Sequence, residues 1–290
     1  MGFGLMSHRI RLGISTCPND TFAFHALLHR KVDWRGLDFQ IELLDIQQLN
    51  ARTFHGDLDV AKVSFHAALL LSDRMLVLPS GSALGFGVGP LLLSAKDNDR
   101  PIASSQLTLC PGQHTTATLL FQLFYPQTSR LEQVVFSEIM PRLKRREADF
   151  GVCIHEGRFT WQSEELFLVE DLGTRWEAET HGPLPLGGIV GSRSLGLDTL
   201  RNVQQVIQDS LQYAMTHRDD TLPTMRRYAQ EFEDEVLMQH VDLYVNDWTI
   251  QLGTVGQTAL NELSDRAQQI GLVAQGSRRL EILGRMLPRD

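Results

Sequence analysis

Residues 150–161 read FGVCIHEGRFTW. Residues 150–154 form a short, almost wholly apolar run, which suits a strand covered on both faces, as in a parallel sheet. The run stops at His155, and Glu156, Gly157 and Arg158 follow. In open α/β sheets ligands sit outside the carboxyl ends of the strands. An imidazole there, followed by an acid, a glycine and a guanidinium, is placed to meet a ligand. The plainer reading is a histidine satisfied by backbone in a turn, so the decision rests on what the rest of the chain puts beside it.

Outward from this stretch, apolar runs alternate with turns and helical patterns. Upstream, residues 9–15 alternate and end in TCPNDT (16–21), a first strand entering a turn. Residues 21–29 read as a helix with Asn19 or Asp20 as its N-cap. Residues 39–43 give a second strand with one wetter face, 46–55 a helix, and 59–64 (DVAKVS) another short strand. Residues 75–78 and 90–95 complete a strand-rich first unit. Between them, 80–90 (SGSALGFGVGP) is rich in glycine and uncharged, a loop that either binds something or turns tightly. A charged patch at 96–101 marks a boundary. Strands at 107–110 and 134–136 and helices at 115–124 and 138–147 follow. Downstream of the opening stretch, 166–169 reads as a strand, and 187–190 as a strand returning to the first unit.

The remainder is helical. Leu200, Val203, Ile207, Leu211 and Met215 recur every three or four residues, and 233–246 and 255–270 are similar. These helices have no sheet of their own and must pack on the first unit. The expectation is an α/β fold of two lobes joined by a two-crossing hinge. Residues 1–96 and 191–290 form a discontinuous first lobe with the C-terminal helices, and 97–190 an inserted second lobe. A ligand would sit in the cleft between them.

With 290 residues, 42% hydrophobic and 21% charged, the chain fits a soluble two-domain enzyme or binding protein. The net charge of -8 and the lack of a long basic run argue against nucleic acid. An anionic ligand must then be held by local donors. Three cysteines with no CxxC pair suit a reducing, cytoplasmic setting. The N-terminus lacks a secretory h-region, and no segment approaches the ~18 apolar residues of a membrane span. The sequence sets no oligomeric state.

Four polar groups fall at strand ends: the 16–21 turn with Asn19, Lys62 to Ser64, the 114–116 turn, and 155–158 with His155 and Arg158. Thr115 and Thr116 open a helix after a Pro-Gly turn, where free N–H groups and the dipole favour a carboxylate or phosphate; an N-cap role explains them equally well. Ser64 reads otherwise as a capping hydroxyl and Lys62 as a surface charge. His25 and His29, four apart on a helix, have zinc-compatible spacing but no third ligand in view. No dinucleotide fingerprint, P-loop or nucleophile elbow is present.

STCPNDTF (15–22), KVSF (62–65), SALGFGVGP (82–90), PGQHTTA (111–117), HEGRFT (155–160), PLGGI (185–189) and YVN (244–246) occur in this order. Together they resemble the 1,4-dihydroxy-6-naphthoate synthases of the futalosine-dependent menaquinone route. The chain departs from that pattern at Phe86, where arginine is favoured, and at Trp161, where tyrosine is common. The resemblance implies a periplasmic-binding-protein-like type II fold. It implies cleavage of cyclic dehypoxanthine futalosine to 1,4-dihydroxy-6-naphthoate with release of a five-carbon sugar-derived fragment, and neither metal nor organic cofactor. It places the general base on His155 and substrate contacts on Lys62, Val63, Ser64, Thr115, Thr116 and Ala117. The competing readings are chorismate dehydratase of the same route, which shares the fold and which HEGRFT argues against, and a cytosolic solute-binding protein without catalysis.

Overall fold

The structure, a computed structural model, describes residues 9–97, 99–155, 157–229 and 233–284. Glu156, within the opening stretch, lies outside the described residues.

The first sheet holds β1 (Arg9–Ser15), β2 (Asp38–Leu44), β3 (Val60–Ser64), β4 (Met75–Val77), β5 (Ala83–Gly85) and β11 (Leu184–Ser192). Its order is β2-β1-β3-β11-β4, with β5 also on β11. β1 runs parallel to β2 and β3, and β11 runs antiparallel to β3, β4 and β5. The second sheet, in the order β10-β6-β9-β7-β8, holds β6 (Leu91–Ser94), β7 (Leu107–Cys110), β8 (Arg130–Gln133), β9 (Phe150–Cys153) and β10 (Phe167–Asp171).

β6 was expected to complete the first unit. It instead lies between β9 and β10, antiparallel to both. The chain therefore changes sheet between Gly85 and Leu91, ahead of the expected boundary at 96/97. It returns between Asp171 and Leu184, ahead of the one at 190/191. An all-apolar strand fits the interior of either sheet, so its composition does not say which one it joins. The strand read at 134–136 lies earlier, at β8, and α6 (Phe136–Lys144) starts where it was placed.

The helix read at 21–29 is two short helices, α1 (Pro18–Ala23) and α2 (His25–Leu28), and the N-cap is Cys17. Pro18 takes the first helical position, where its missing N–H costs nothing. That sets Asn19 and Asp20 inside the first turn, just past the carboxyl end of β1. α3 (Ile46–His55) opens with a capping box between Asp45 and Gln48 and closes on Gly56 in the left-handed region. α4 (Phe65–Leu70) follows β3 directly. α5 (Thr116–Phe124), α7 (Gly157–Thr160) and α8 (Leu172–Thr180) belong to the second sheet's crossings.

The C-terminal helices are α9 (Leu197–Thr216), α10 (Arg218–Tyr228), α11 (Asp234–Tyr244), α12 (Asp247–Ile250) and α13 (Gly253–Gln269). Leu200, Val203, Ile207 and Leu211 of α9 share one buried cluster with Ile10, Leu12 and Ile14 of β1 and with Phe22 and Leu27 of α1 and α2, the apolar face their spacing predicts. A second cluster is continuous from Val63 and Leu84 through Phe121 and Phe150 to Leu260 and Leu263. Each such buried side chain contributes roughly 1.5–3 kcal/mol. This core ties α13 and both sheets together and fixes their strand ends opposite one another.

Candidate active site

The carboxyl ends of β1, β3 and β9 and the start of α5 open onto one cleft. Residues Val88 to Pro90, where the chain changes sheet, close one side, and Leu186 and Gly187 of β11 another. The space between these walls, open mouth included, is about 680 Å³, enough for a small organic ligand.

On the first sheet, side chains of β3 alternate. Lys62 and Ser64 face the cleft, whereas Val63 is fully buried in the core. Val63 is thereby excluded as a side-chain contact. Lys62 is not a surface charge: it is 4% exposed, and its Nζ donates to Asp20 Oδ1 at 2.6 Å and to the Gly81 carbonyl at 3.0 Å. Ser64 is gripped by Asn50, whose Oδ1 accepts from the Ser64 amide and whose Nδ2 donates to Ser64 Oγ. The Ser64 hydroxyl keeps its own hydrogen to offer. Asn19 lines the cleft too, and its Oδ1 accepts from His240 Nε2 at 3.1 Å.

The other wall is the start of α5. Gly112, at φ +124°, turns the chain in a conformation side chains rarely adopt, and an added Cβ would lie 2.2 Å from Gln47 Oε1. Thr115 is the N-cap: its Oγ1 accepts from the Thr118 amide and donates to the Gly112 carbonyl. Thr116 Oγ1 donates to the Leu186 carbonyl at 2.6 Å and accepts from the His66 amide. Both hydroxyls expected to meet an anion are thus engaged. What remains is the backbone: among the described residues nothing bonds the amides of Thr116 and Ala117, the first two of α5. The His66 ring Nδ1 donates to the Thr115 carbonyl, and burial pushes its pKa down to about 4, so it clasps this turn as a neutral donor.

His155 follows β9 and stands at φ +56°, in the left-handed region. A non-glycine residue there stores strain, a pattern that gathers at functional sites. Its ring meets Phe136 edge-on at 5.0 Å and lies 6.4 Å from the His240 ring at 25°. Cys17 Sγ is 3.3 Å from Nδ1 and 3.6 Å from Nε2. Near-equal distances put the sulfur beside the ring, not in line with one nitrogen.

Arg158 does not line the cleft. Its guanidinium donates to the Gly89 carbonyl and to Asp171, the N-cap of α8, each at 2.7 Å. It braces the wall that Gly89 forms. There the backbone passes so close to Gly173 that a Cβ on Gly89 would lie 2.2 Å from the Gly173 Cα. Phe86, at the departure from the family pattern, is half exposed beside Trp248 and outside the cleft lining.

His25 and His29 do converge, but on the Thr224 hydroxyl, 2.8 Å from a nitrogen of each. Among the described residues no group of three or more His, Cys, Asp or Glu is arranged to hold a metal. Sequence reasoning missed His240, Cys17 and Asn50. His240 was hidden among Leu237, Val241 and Tyr244 on the apolar face of α11, where one histidine reads as core.

A family model described as menaquinone biosynthesis matches residues 10–269. A 1,4-dihydroxy-6-naphtoate synthase of Thermus thermophilus is 39% identical over 271 residues, covering 93% of this chain and 98% of the relative. The Streptomyces coelicolor enzyme of the same name is 37% identical, covering 91% and 94%. A crystal structure of an Archaeoglobus fulgidus protein superposes with a TM-score of 0.86 at 29% identity, over 92% of this chain and all of that one. The periplasmic aliphatic sulphonate binding protein of Escherichia coli gives 0.62 at 9% identity over 97% and 96%, a likeness of fold alone. The fold is periplasmic-binding-protein-like, as the family resemblance implied, and agrees with the two-lobe α/β reading of the strand and helix order. With its motifs, its two sheets and these relatives in agreement, the chain belongs to the menaquinone-biosynthesis family of 1,4-dihydroxy-6-naphthoate synthases.

Proposed function

We propose that the cleft cleaves cyclic dehypoxanthine futalosine to 1,4-dihydroxy-6-naphthoate, releasing a five-carbon sugar-derived fragment, with His155 as general base. The observation that carries this is His155, held in a left-handed conformation at the end of β9 and lining the same cleft as the unbonded amides of α5. Breaking a carbon–carbon bond beside a hydroxyl needs a base for the hydroxyl proton. That oxygen becomes a carbonyl, and the bonding pair moves into the ring system, which becomes aromatic. An imidazole titrates near neutrality and suits that proton transfer.

The substrate carboxylate rests on the Thr116 and Ala117 amides at the positive end of α5, with the Ser64 hydroxyl donating from the opposite wall. Lys62 and Asp20 form a compensated pair that frames the site, and Asn19 acts through His240. Closure of the lobes excludes water and orients the reacting groups. The partner is thus a small anionic substrate. Cys17, Cys110 and Cys153 form no disulfide, which fits a reducing compartment, and we assign the enzyme to the cytoplasm.

Incubation of the purified protein with the cyclic futalosine derivative, read by mass spectrometry, should yield 1,4-dihydroxy-6-naphthoate. Consumption of chorismate in place of that substrate would assign the chain to the dehydratase step. Binding without product from either would make it a solute-binding protein.

A further inference from the structure

The second imidazole of the cleft holds chemistry that the roles above leave unused. His240 is 4% exposed and lines the cleft from α11. Its Nε2 faces Asn19 Oδ1, an oxygen that can only accept, so Nε2 carries the hydrogen. Burial, with a smaller effect from His155, pushes its pKa down to about 3. The ring is therefore neutral at physiological pH, and Nδ1 keeps a lone pair. Among the described residues no donor reaches Nδ1. The ammonium of Lys62, the cation lining the same space, is committed to Asp20 and the Gly81 carbonyl. The other neighbours of the ring are aromatic: Tyr244 at 4.5 Å, Phe159 at 6.2 Å and His155. Nδ1 therefore opens to the cleft, where a bound ligand that displaces water must supply the donor in its place.

We propose that His240 Nδ1 accepts a hydrogen bond from a hydroxyl of the bound ligand, with Asn19 fixing the tautomer, so that the cleft selects hydroxylated ring carboxylates over the same carboxylates without hydroxyls. This rests on the reading of the cleft given above and adds a specificity residue to it. Two probes differ only in that respect: 1,4-dihydroxy-6-naphthoate, and 2-naphthoate, which has the same ring system and carboxylate. In anaerobic calorimetric titrations the wild-type protein should bind the dihydroxy compound about tenfold more tightly, the size of one such hydrogen bond. His240→Phe, which keeps an aromatic ring of similar size, should lose that preference and still bind 2-naphthoate as the wild type does.

Equal binding of the two probes by the wild type overturns the proposal. So does a preference that survives in His240→Phe, or a parallel loss of both affinities, which marks a merely structural role. Should that variant fail to fold, imidazole nitrogen NMR of the wild type decides: Nδ1 of His240 should shift with the dihydroxy probe and not with 2-naphthoate. Binding of neither probe also overturns it, and the turnover assay then shows separately whether the reading of the site falls too.

Discussion

On the wall from the first sheet, the polar groups are held by one another: Lys62 by Asp20 and Gly81, Ser64 by Asn50, Asn19 by His240. On the wall from the second, Thr115 and Thr116 turn their hydroxyls away into the protein and leave two amides open, and His155 stands in a strained backbone position. The first wall is thus mostly framework, its spare capacity confined to the Ser64 hydroxyl hydrogen and His240 Nδ1, whereas the second presents open amides and the His155 imidazole. The number of hydrogen bonds a group has left, more than its type, separates what positions a ligand from what meets it.

The largest expected effect is on the open wall. His155→Ala should lower kcat by about 10²–10⁴-fold, the usual range for a lost general base. Thermal stability should hold or fall slightly, because alanine gives up the ring's contacts with Phe136, Cys17 and His240 and fits the left-handed region no better than histidine. A kcat within a factor of a few of wild type across neutral pH would strip His155 of that role and leave the open wall with amides alone.

Next in size is the held wall. Lys62→Met leaves Asp20 buried without its partner, and breaking a buried pair costs about 3–5 kcal/mol. Denaturant unfolding should show that loss. Replacing both, as Lys62→Met with Asp20→Leu, should recover much of it, since an apolar pair of similar volume is often neutral or better. If Lys62→Met instead leaves stability within about 1 kcal/mol and raises KM steeply, Lys62 is a ligand group and the contrast between the walls fails.

The division between the walls also explains what could be read beforehand. Apolar runs and periodic helices follow from burial, so β1, β3, β7, β9, α9 and α13 were legible from pattern alone. Sheet membership was not: LLLS at β6 satisfies either sheet, and only its pairing with β9 and β10 decides. Polar residues at strand ends were legible as a set, because few places tolerate them. Their individual roles depend on partners distant in sequence, such as Asn50 for Ser64, His66 for Thr116 and Asp171 for Arg158. The residues the resemblance named converge on one cleft, except that strand alternation turns the Val63 side chain into the core.

Thr116 joins the two walls, and changing it should have the smallest effect of the three. Its hydroxyl donates to the Leu186 carbonyl, which sits where the pairing of β11 with β5 shifts register between Pro185 and Gly187. It also accepts from the amide of His66, so one oxygen bridges α5, β11 and α4. Thr116→Val preserves the shape and removes both bonds, leaving a carbonyl and an amide short of partners at about 1–3 kcal/mol for each buried group left unsatisfied. Part of that loss should appear as a looser start of α5, the segment whose amides are proposed to hold the carboxylate. That carboxylate is charged in the ground state and in the transition state alike, so its weaker grip should raise KM about tenfold and change kcat little. Thr116→Ser keeps the hydroxyl and should restore KM. A valine variant with lowered thermal stability but wild-type KM would show that the bridge supports the fold alone, and that α5 holds its place at the cleft without it.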